Sequence, residues 1–194
     1  MPRASTAVPM SPVDPDPIVI VPYDPRWPKE FEKVGRRLRS RLGATAIRID
    51  HIGSTAVPGL AAKPVVDVQV SVAALTPEDP YRGPLELDGF VWMSENVDRT
   101  KRFFREPPGA PRTHIHVREA GSFDEQLNLL FRDFLRAMPD RAREYEETKR
   151  ALADRFRHDR PGYVAAKEPA VWTLLRHAHD WSQATGWRPG PSDA

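Results

Sequence analysis

A segment of small residues in the first third of the chain, HIGSTAVPGLAAKPVVDVQV, contains residue types that bind phosphate. Gly53 lets the backbone approach a phosphate closely, and Ser54 adds a hydroxyl and an amide donor. Lys63 brings a mobile positive charge for phosphate oxygens, and Asp67 offers a hard oxygen ligand for Mg²⁺. These residues predict a phosphate site with Asp67 as a ligand of Mg²⁺.

The spacing of this segment differs from that of a P-loop ATPase. A P-loop ends in Gly-Lys-Ser/Thr and leads into a helix, whereas Lys63 leads into a strand. Residues 64–72 alternate strictly, so one face of that strand carries valines and the other carries Asp67, Gln69 and Ser71. Asp67 and Gln69 are therefore expected to point to the same side of the sheet.

Two histidines on a later predicted strand have the same period of two. His114 and His116 share one face of their strand and could reach the same part of the predicted site as Asp67. His116 could serve as a general base or bind phosphate directly. The alternative is that both histidines only form hydrogen bonds with their neighbours. His177 and His179, on the last predicted helix, are expected at the surface.

Arginines and lysines elsewhere offer further cations. Arg102 and Arg105 flank two phenylalanines on a short predicted strand, and each either lines the site or is an ordinary charged residue at a strand edge. Two tyrosine–lysine pairs recur at a spacing of four residues, which places each pair on one face of a helix. We expect Arg132, Lys149 and Lys167 to point towards Ser54 as a phosphate clamp. The alternative is that Tyr145 and Tyr163 are core residues from beneath which the two lysines extend to solvent.

The hydrophobic pattern predicts the elements that position these side chains. A helix begins near Trp27 and ends at Gly43, and its arginines at 36, 37, 39 and 41 fall mostly away from the apolar face. Strands are predicted over residues 46–52, 64–72, 90–93, 102–105 and 113–117. Ser122 and Glu125 form a capping box before the first of three helices in the last third. Strands followed by helices indicate an α+β fold with a mixed or antiparallel sheet.

The composition limits the possible functions. A chain of 194 residues with 40% hydrophobic residues supports one substantial core. A formal charge of +2 leaves no large field of one sign for nucleic acid or an anionic membrane, although the isoelectric point is about 9.0. The absence of cysteine excludes disulfides and thiol nucleophiles. Together with the lack of an apolar stretch long enough to span a bilayer, it predicts a cytoplasmic protein that is not in the membrane. Proline-rich or polar composition predicts flexible tails over residues 1–17 and 186–194 around a domain of residues 18–185.

Several segments together resemble the GrpB, or UPF0157, family. They are VPYDPRWP, HIGSTAVPGLAAKPVVDV, RFFRE, THIHV, LLFRDFLRAMP with EYEETKRALA, and YVAAKEPAVWTLL, which occur in that order over roughly residues 18–183. The resemblance implies a nucleotidyltransferase-like mixed β-sheet with flanking and C-terminal helices. In that superfamily a Gly-Ser pair holds the triphosphate and two acidic residues on the next strand bind metal. Gly53, Ser54 and Asp67 match this pattern, but Gln69 stands where the second acid would be, and an amide binds Mg²⁺ more weakly than a carboxylate. The resemblance therefore implies a single Mg²⁺ ion, or no metal with basic residues in its place.

Three functions follow from these observations. The first is an enzyme that transfers a nucleotidyl or phosphoryl group from a nucleotide to a small acceptor. The second is a non-catalytic nucleotide- or phosphate-binding domain, of the kind that the family contributes to fused dephospho-CoA kinases. The third, nucleic-acid binding, rests on the isoelectric point and the arginine-rich first helix and is ranked last; no oligomeric state is predicted. The predicted catalytic residues are Asp67, His116 and Lys63, and the predicted substrate- or phosphate-binding residues are Gly53, Ser54, Thr55, Lys63, Gln69, Arg102, Arg105, His114, Arg132, Tyr145, Lys149 and Lys167.

Overall fold

A computed structural model describes residues 17–194 of the chain. The tail predicted over residues 1–17 therefore lies almost entirely outside the described residues. The helices are α1 (Trp27–Leu42), α2 (Asp79–Leu87), α3 (Phe123–Ala137), α4 (Pro139–Arg155) and α5 (Arg160–Thr185). The strands are β1 (Arg48–Ile52), β2 (Val66–Val72), β3 (Val91–Trp92), β4 (Arg102–Arg105) and β5 (Thr113–Glu119).

The five strands form one mixed sheet in the order β1-β2-β5-β4-β3. β2 and β5 run parallel at its centre, and the other three neighbouring pairs are antiparallel. The predicted α+β class and the mixed sheet are both confirmed. The parallel register matters most for the site, because it sets Asp67 opposite His114 and Gln69 opposite His116.

The apolar face of the sheet packs against α1 and α2. The valines of β2 at positions 66, 68, 70 and 72 are almost completely buried, as is Leu38 of α1. The helix α1 forms because its apolar residues recur every three to four positions, and Gly43 ends it with a positive φ of 51°. Its arginines lie mainly on the outside, where Arg36 pairs with Glu32 while Arg37 and Arg41 pair with Asp88.

The polar face of the sheet is covered in part by α3, on which α4 and α5 pack. Ser122 caps α3 by accepting a hydrogen bond from the amide of Glu125, as the capping box predicts. The three helices share a second apolar cluster that includes Phe134, Tyr145 and Leu174. This cover encloses the part of β2 at Gln69 and Ser71 on both faces, where one face would otherwise contact solvent.

Helix α2 is an element that the hydrophobic pattern did not predict. It contains Gly83 and Pro84, both unfavourable inside helices, and it is nine residues long. Tyr81 and Leu85 are four residues apart and are both fully buried in the main core. Burial of these two side chains stabilises a helix that the local sequence disfavours.

The end of the chain lies along β1, where composition predicted a flexible tail over residues 186–194. The amide of Ile49 donates to the hydroxyl of Ser192 (2.8 Å), and the amide of His51 donates to Asp193 (2.9 Å). The amide of Ala194 donates to the carbonyl of Ile49 (3.1 Å). These hydrogen bonds occupy backbone groups at the outer edge of β1, which would otherwise be unpaired.

Within residues 17–194, none of the helices combines the length and the apolar character needed to cross a bilayer.

Candidate functional site

The turn after β1 places Gly53 directly against Asp67. Gly53 has φ 72° and ψ −173°, a backbone conformation that side chains rarely permit. A Cβ atom at this position would lie 2.8 Å from Oδ2 of Asp67. Glycine is therefore required here both for the backbone angle and for the close approach to the carboxylate.

Asp67 accepts hydrogen bonds from both histidines of β5. Nδ1 of His114 lies 3.2 Å and Nε2 of His116 lies 3.1 Å from Oδ1 of Asp67. Because an ionised carboxylate only accepts, both ring nitrogens must carry the hydrogens. Burial by itself would raise the pKa of Asp67, but the hydrogen bonds from the two histidines hold that pKa well below its ordinary value. Asp67 is thus ionised throughout the neutral range.

Asp67 lies at the edge of a cavity of about 200 Å³ between the sheet, the Ser54 turn and the helices α4 and α5. Four cationic residues line this cavity, and they come from three different parts of the chain. They are Lys63 from the loop before β2, Lys149 from α4, and Arg160 and Lys167 from α5. A single carboxylate among the lining residues leaves the cavity with an excess of positive charge, which suits an anion.

Lys149 is the most enclosed of these cations, with 2% of its surface exposed. Its Nζ donates to Oγ of Ser54 (3.1 Å) and to the carbonyl of Ala61 (2.5 Å). Burial, helped by the like charge of Lys167, lowers the pKa of Lys149 to about 7. The side chain therefore lies at the Ser54 turn, as the clamp hypothesis requires, and an anion would increase its protonation.

The tyrosine–lysine pairs combine the buried tyrosines of one interpretation with the site-facing lysines of the other. Tyr145 and Tyr163 are buried, and the Nζ atoms of Lys149 and Lys167 lie over their rings at 4.8 and 5.3 Å from the ring centres. The lysines extend over the tyrosines towards the cavity and not towards bulk solvent. Burial lowers the pKa of Lys167 too, although the charge of Asp67 opposes the shift.

Several predicted residues lie at the cavity but have other partners, or lie beside it. The hydroxyl of Thr55 lines the cavity, but it donates to the carbonyl of Val65 (3.1 Å) and accepts from Nε2 of His51 (3.0 Å), which ties the turn to the start of β2. His114 lines the cavity, whereas His116 is not among the described residues that line it. The roles assigned to these residues stay predictions.

Gln69 does not face the cavity, although it shares the polar face of β2 with Asp67. Its amide donates to the carbonyl of Glu125 (3.2 Å), and its oxygen accepts from Asn128 (2.9 Å). The residue is fully buried under α3. Gln69, at the position where the sequence analysis looked for a second acid, is therefore held by the helix above it.

Three predicted arginines point elsewhere. Arg132 is buried and donates to Asp133 (2.7 Å), Asp193 (2.8 Å) and the carbonyl of His51 (3.1 Å), so the expectation that it faces Ser54 is wrong. Arg102 lies on the opposite face of the sheet, where it pairs with Glu78 (2.9 Å). Arg105 lies opposite His114 in register but pairs with Glu106 (3.4 Å), and it is not among the described lining residues.

Arg160 lines the cavity, but the sequence analysis did not single it out. It is the first residue of α5, whose predicted start was Tyr163. Arg160, Tyr163 and Lys167 have spacings of three and four residues, which place them on one helical face. That periodicity, together with Asp159 as the N-cap that accepts from the amide of Gly162 (2.9 Å), is the signal that identifies Arg160.

The one group of described side chains arranged to hold a metal ion is Asp67 with His114 and His116. One ligand atom from each lies within 4.8 Å of the other two. Mg²⁺ prefers an octahedron of oxygen ligands, whereas this set offers two imidazole nitrogens and one carboxylate. The donor set therefore fits the predicted Mg²⁺ ion poorly, although Mg²⁺ at Asp67 stays a prediction of the sequence.

Comparisons with known proteins agree with this architecture. The dephospho-CoA kinase of Mycolicibacterium paratuberculosis is 36% identical over 89% of this chain and 49% of its own length, so the chain spans about half of that relative. A UPF0157 protein of Pseudomonas aeruginosa is 42% identical over 85% of this chain and 69% of its own length. The crystal structure of the conserved protein GrpB from Enterococcus faecalis matches with a TM-score of 0.75 and 30% identity, over 82% of this chain and 96% of that one. Residues 17–177 match the model of the family described as GrpB protein, and the chain therefore belongs to the GrpB family.

Proposed function

We propose that the cavity at Ser54 and Lys149 binds the phosphate groups of a nucleotide or another phosphorylated small molecule. The observation that carries this proposal is the convergence of Lys63, Lys149, Arg160 and Lys167 on one small cavity. Lys149 is held there despite a burial cost large enough to lower its pKa to about 7. A protein gains little from enclosing such a charge unless a ligand makes use of it, and perturbed pKa values cluster at functional sites for this reason.

We further propose that the bound group is transferred to a small acceptor. In such a reaction an acceptor oxygen forms a bond to phosphorus while the bond to the leaving phosphate oxygen breaks. Lys63, Lys149 and Lys167 would stabilise the negative charge that grows on the leaving group. Asp67, which stays ionised, would accept a hydrogen bond from the acceptor hydroxyl and orient it, and the hydroxyl proton would pass through solvent to the released phosphate group. This chemistry requires no covalent intermediate on the protein.

A second candidate is a non-catalytic phosphate-binding domain, such as one that accompanies a dephospho-CoA kinase. Gln69 favours it, because the position of the second metal-binding acid carries a neutral side chain bound to Glu125 and Asn128. Both candidates use the same cavity and the same cations. They differ in whether the bound ligand is turned over.

A ligand panel tests the shared part of both candidates. Calorimetric titration with pyrophosphate and with ATP, GTP, CTP and UTP, each with and without Mg²⁺, should show binding to the unmodified chain. The double variant Lys149→Met with Lys167→Met should weaken that binding at least about 10-fold, because each charged contact is worth about 1.5–3 kcal/mol. The variant Lys33→Met removes an exposed lysine from α1 and serves as the matched control. Equal affinity of the double variant and the control would overturn the proposal.

Turnover then separates the two candidates. Following the ³¹P spectrum of the tightest-binding nucleotide, with a mixture of small hydroxyl and amine acceptors, should reveal release of pyrophosphate or of a nucleoside diphosphate. Release that the double variant loses supports transfer. Tight binding with an unchanged spectrum supports the non-catalytic domain.

A further inference from the structure

Asp67, His114 and His116 form a cluster whose geometry follows from the sheet itself. The parallel pairing of β2 and β5 sets Asp67 opposite His114, and the period of two places His116 on the same face, one step along β5. The three side chains come from two adjacent central strands, which are more rigid supports than loops. The cluster is thus preorganised by backbone pairing.

Phe103 of β4 holds the two imidazole rings. Its ring centre lies 5.2 Å from that of each histidine, edge-on to His114 and tilted against His116. Phe103 lies opposite His116 in register, so it packs on the same face of the sheet. Contacts of this kind restrict ring rotation and keep the ligand atoms directed at Asp67.

The distances within the cluster match those between neighbouring ligands of a metal ion. Zinc and similar ions bind nitrogen and oxygen at about 2.0–2.2 Å, so adjacent ligand atoms around them lie about 3.0–3.5 Å apart. Oδ1 of Asp67 lies 3.2 Å from Nδ1 of His114 and 3.1 Å from Nε2 of His116. Two of the three edges of the coordination triangle are therefore already formed.

The other ring nitrogen of His114 would carry the imidazole hydrogen when an ion binds Nδ1. Nε2 of His114 is buried and has no hydrogen-bond partner among the described residues. Buried polar atoms without partners are rare and commonly mark the place of a water molecule or an ion. If the ion binds Nδ1, the ring hydrogen lies on Nε2, which then requires an acceptor such as a bound water molecule and does not itself bind the ion.

We propose that Asp67, His114 and His116 bind one divalent transition-metal ion of the class of Zn²⁺, Fe²⁺ or Co²⁺, in preference to Mg²⁺. Two imidazoles and one carboxylate form the donor set that such ions favour, and these three ligands leave coordination positions open. Asp67 and His114 also line the cavity, so the ion would border the place where the phosphate is proposed to bind. The metal site does not depend on that function, because its ligands are assigned from their own geometry.

A cobalt titration tests the site directly. The full chain, freed of any histidine tag and dialysed against EDTA, is titrated with Co²⁺ in the absence of nucleotide. We expect visible d–d absorption bands that saturate at one equivalent, disappear when Zn²⁺ is added and persist in millimolar Mg²⁺. Failure of the bands to appear at stoichiometric Co²⁺, or their loss in Mg²⁺, would overturn the proposal.

Variants locate the ion. His116→Gln should weaken Co²⁺ binding at least about 10-fold, since loss of even a supporting partner costs about that much. His179→Gln, which changes an exposed histidine on α5, is the matched control and should leave the titration unchanged. Equal titrations for the two variants would refute the assignment. If His116→Gln does not fold, the X-ray absorption spectrum of the unmodified protein loaded with Zn²⁺ tests the assignment instead. Two imidazole ligands on the zinc ion would support the site, and their absence would contradict it.

Discussion

The polar face of β2 has two ends that differ in what lies above them. At one end, Gln69 and Ser71 are fully buried under α3, and their side chains bond to Glu125 and Asn128. At the other end, Asp67 borders a cavity into which cationic side chains converge. The alternation of the strand is the same at both ends. The covering helix therefore decides which polar residue completes the core and which remains available for a ligand.

The largest expected effect comes from placing a charge at the end of β2 that lies under α3. Gln69→Glu should lower the free energy of unfolding by about 3–5 kcal/mol, because the new carboxylate is fully buried and faces the carbonyl of Glu125, which cannot donate to it. Burial raises the pKa of this carboxyl above its unfolded value of about 4.3, so the folded state binds more protons and stability falls as pH rises above that value. Urea denaturation at pH 5 and pH 8 measures both effects.

Gln69→Met is the matched control for this charge. It removes the same hydrogen bonds at nearly constant size and should cost about 1–3 kcal/mol, equally at both pH values. A Gln69→Glu variant as stable as the unmodified chain would show that the end under α3 is open to water, and the contrast between the two ends would fail.

A methyl group at position 53, beside Asp67 and the cavity, should have the next largest effect on stability. Gly53→Ala combines an unfavourable backbone angle with a Cβ 2.8 Å from Asp67, and we expect a loss of about 2–4 kcal/mol. Gly59→Ala is the control: its φ is also positive, at 79°, but a Cβ there meets open space, so the expected loss is about 1–2 kcal/mol. Thermal denaturation compares the two. Similar losses would mean that Gly53 matters for its backbone angle alone.

Sequence reasoning predicted the strand that carries Asp67, the facing histidines and the two clamp lysines, because all of these depend on local periodicity. The parity of β2 and β5 fixes which side chains share a face, and the four-residue spacing of Tyr145 and Lys149 fixes their common side of α4. These patterns extend over a few residues only. They can be recognised without knowledge of contacts with residues that are distant in the sequence.

The errors have a different origin, in segments whose structure depends on remote partners. Arg132 was expected at Ser54, but it is held by Asp193 in a segment that was predicted to be a tail. Arg102 was expected either to line the site or to be an ordinary charged residue at a strand edge, and it pairs with Glu78 just before the unpredicted helix α2. These two arginines thus pair with residues in or next to a misread segment. Composition cannot reveal that such a segment has a partner 24 or 61 residues away.

Removal of Lys149 should affect ligand binding more than stability. Lys149→Met should weaken pyrophosphate binding at least about 10-fold at pH 6.5, where the lysine of the unmodified chain is protonated. In the unmodified chain the affinity should fall as pH rises through about 7, because binding above that value requires uptake of a proton. The neighbouring charges that set this pKa are Lys167, Glu146 and Arg150. Calorimetry from pH 6 to 9 measures the profile.

The same profile for Lys149→Met isolates the lysine. Titration of the ligand itself is common to both proteins and cancels in the ratio of their affinities. The ratio should therefore decline above pH 7 towards one. A ratio that stays constant with pH would show that Lys149 is not the group that takes up the proton.

The smallest expected effect, and the most specific, comes from Lys167. This residue is less buried than Lys149, so Lys167→Met should weaken pyrophosphate binding only about 3-fold, roughly the value of a partly exposed charge. The positive charge of Lys167 lowers the pKa of Lys149, so its removal should raise that pKa and move the decline in affinity to higher pH. Lys33→Met should change neither quantity. An unshifted pH profile in Lys167→Met would show that the two lysines do not act on one another, and the open end of β2 would then hold separate cations in place of one clamp.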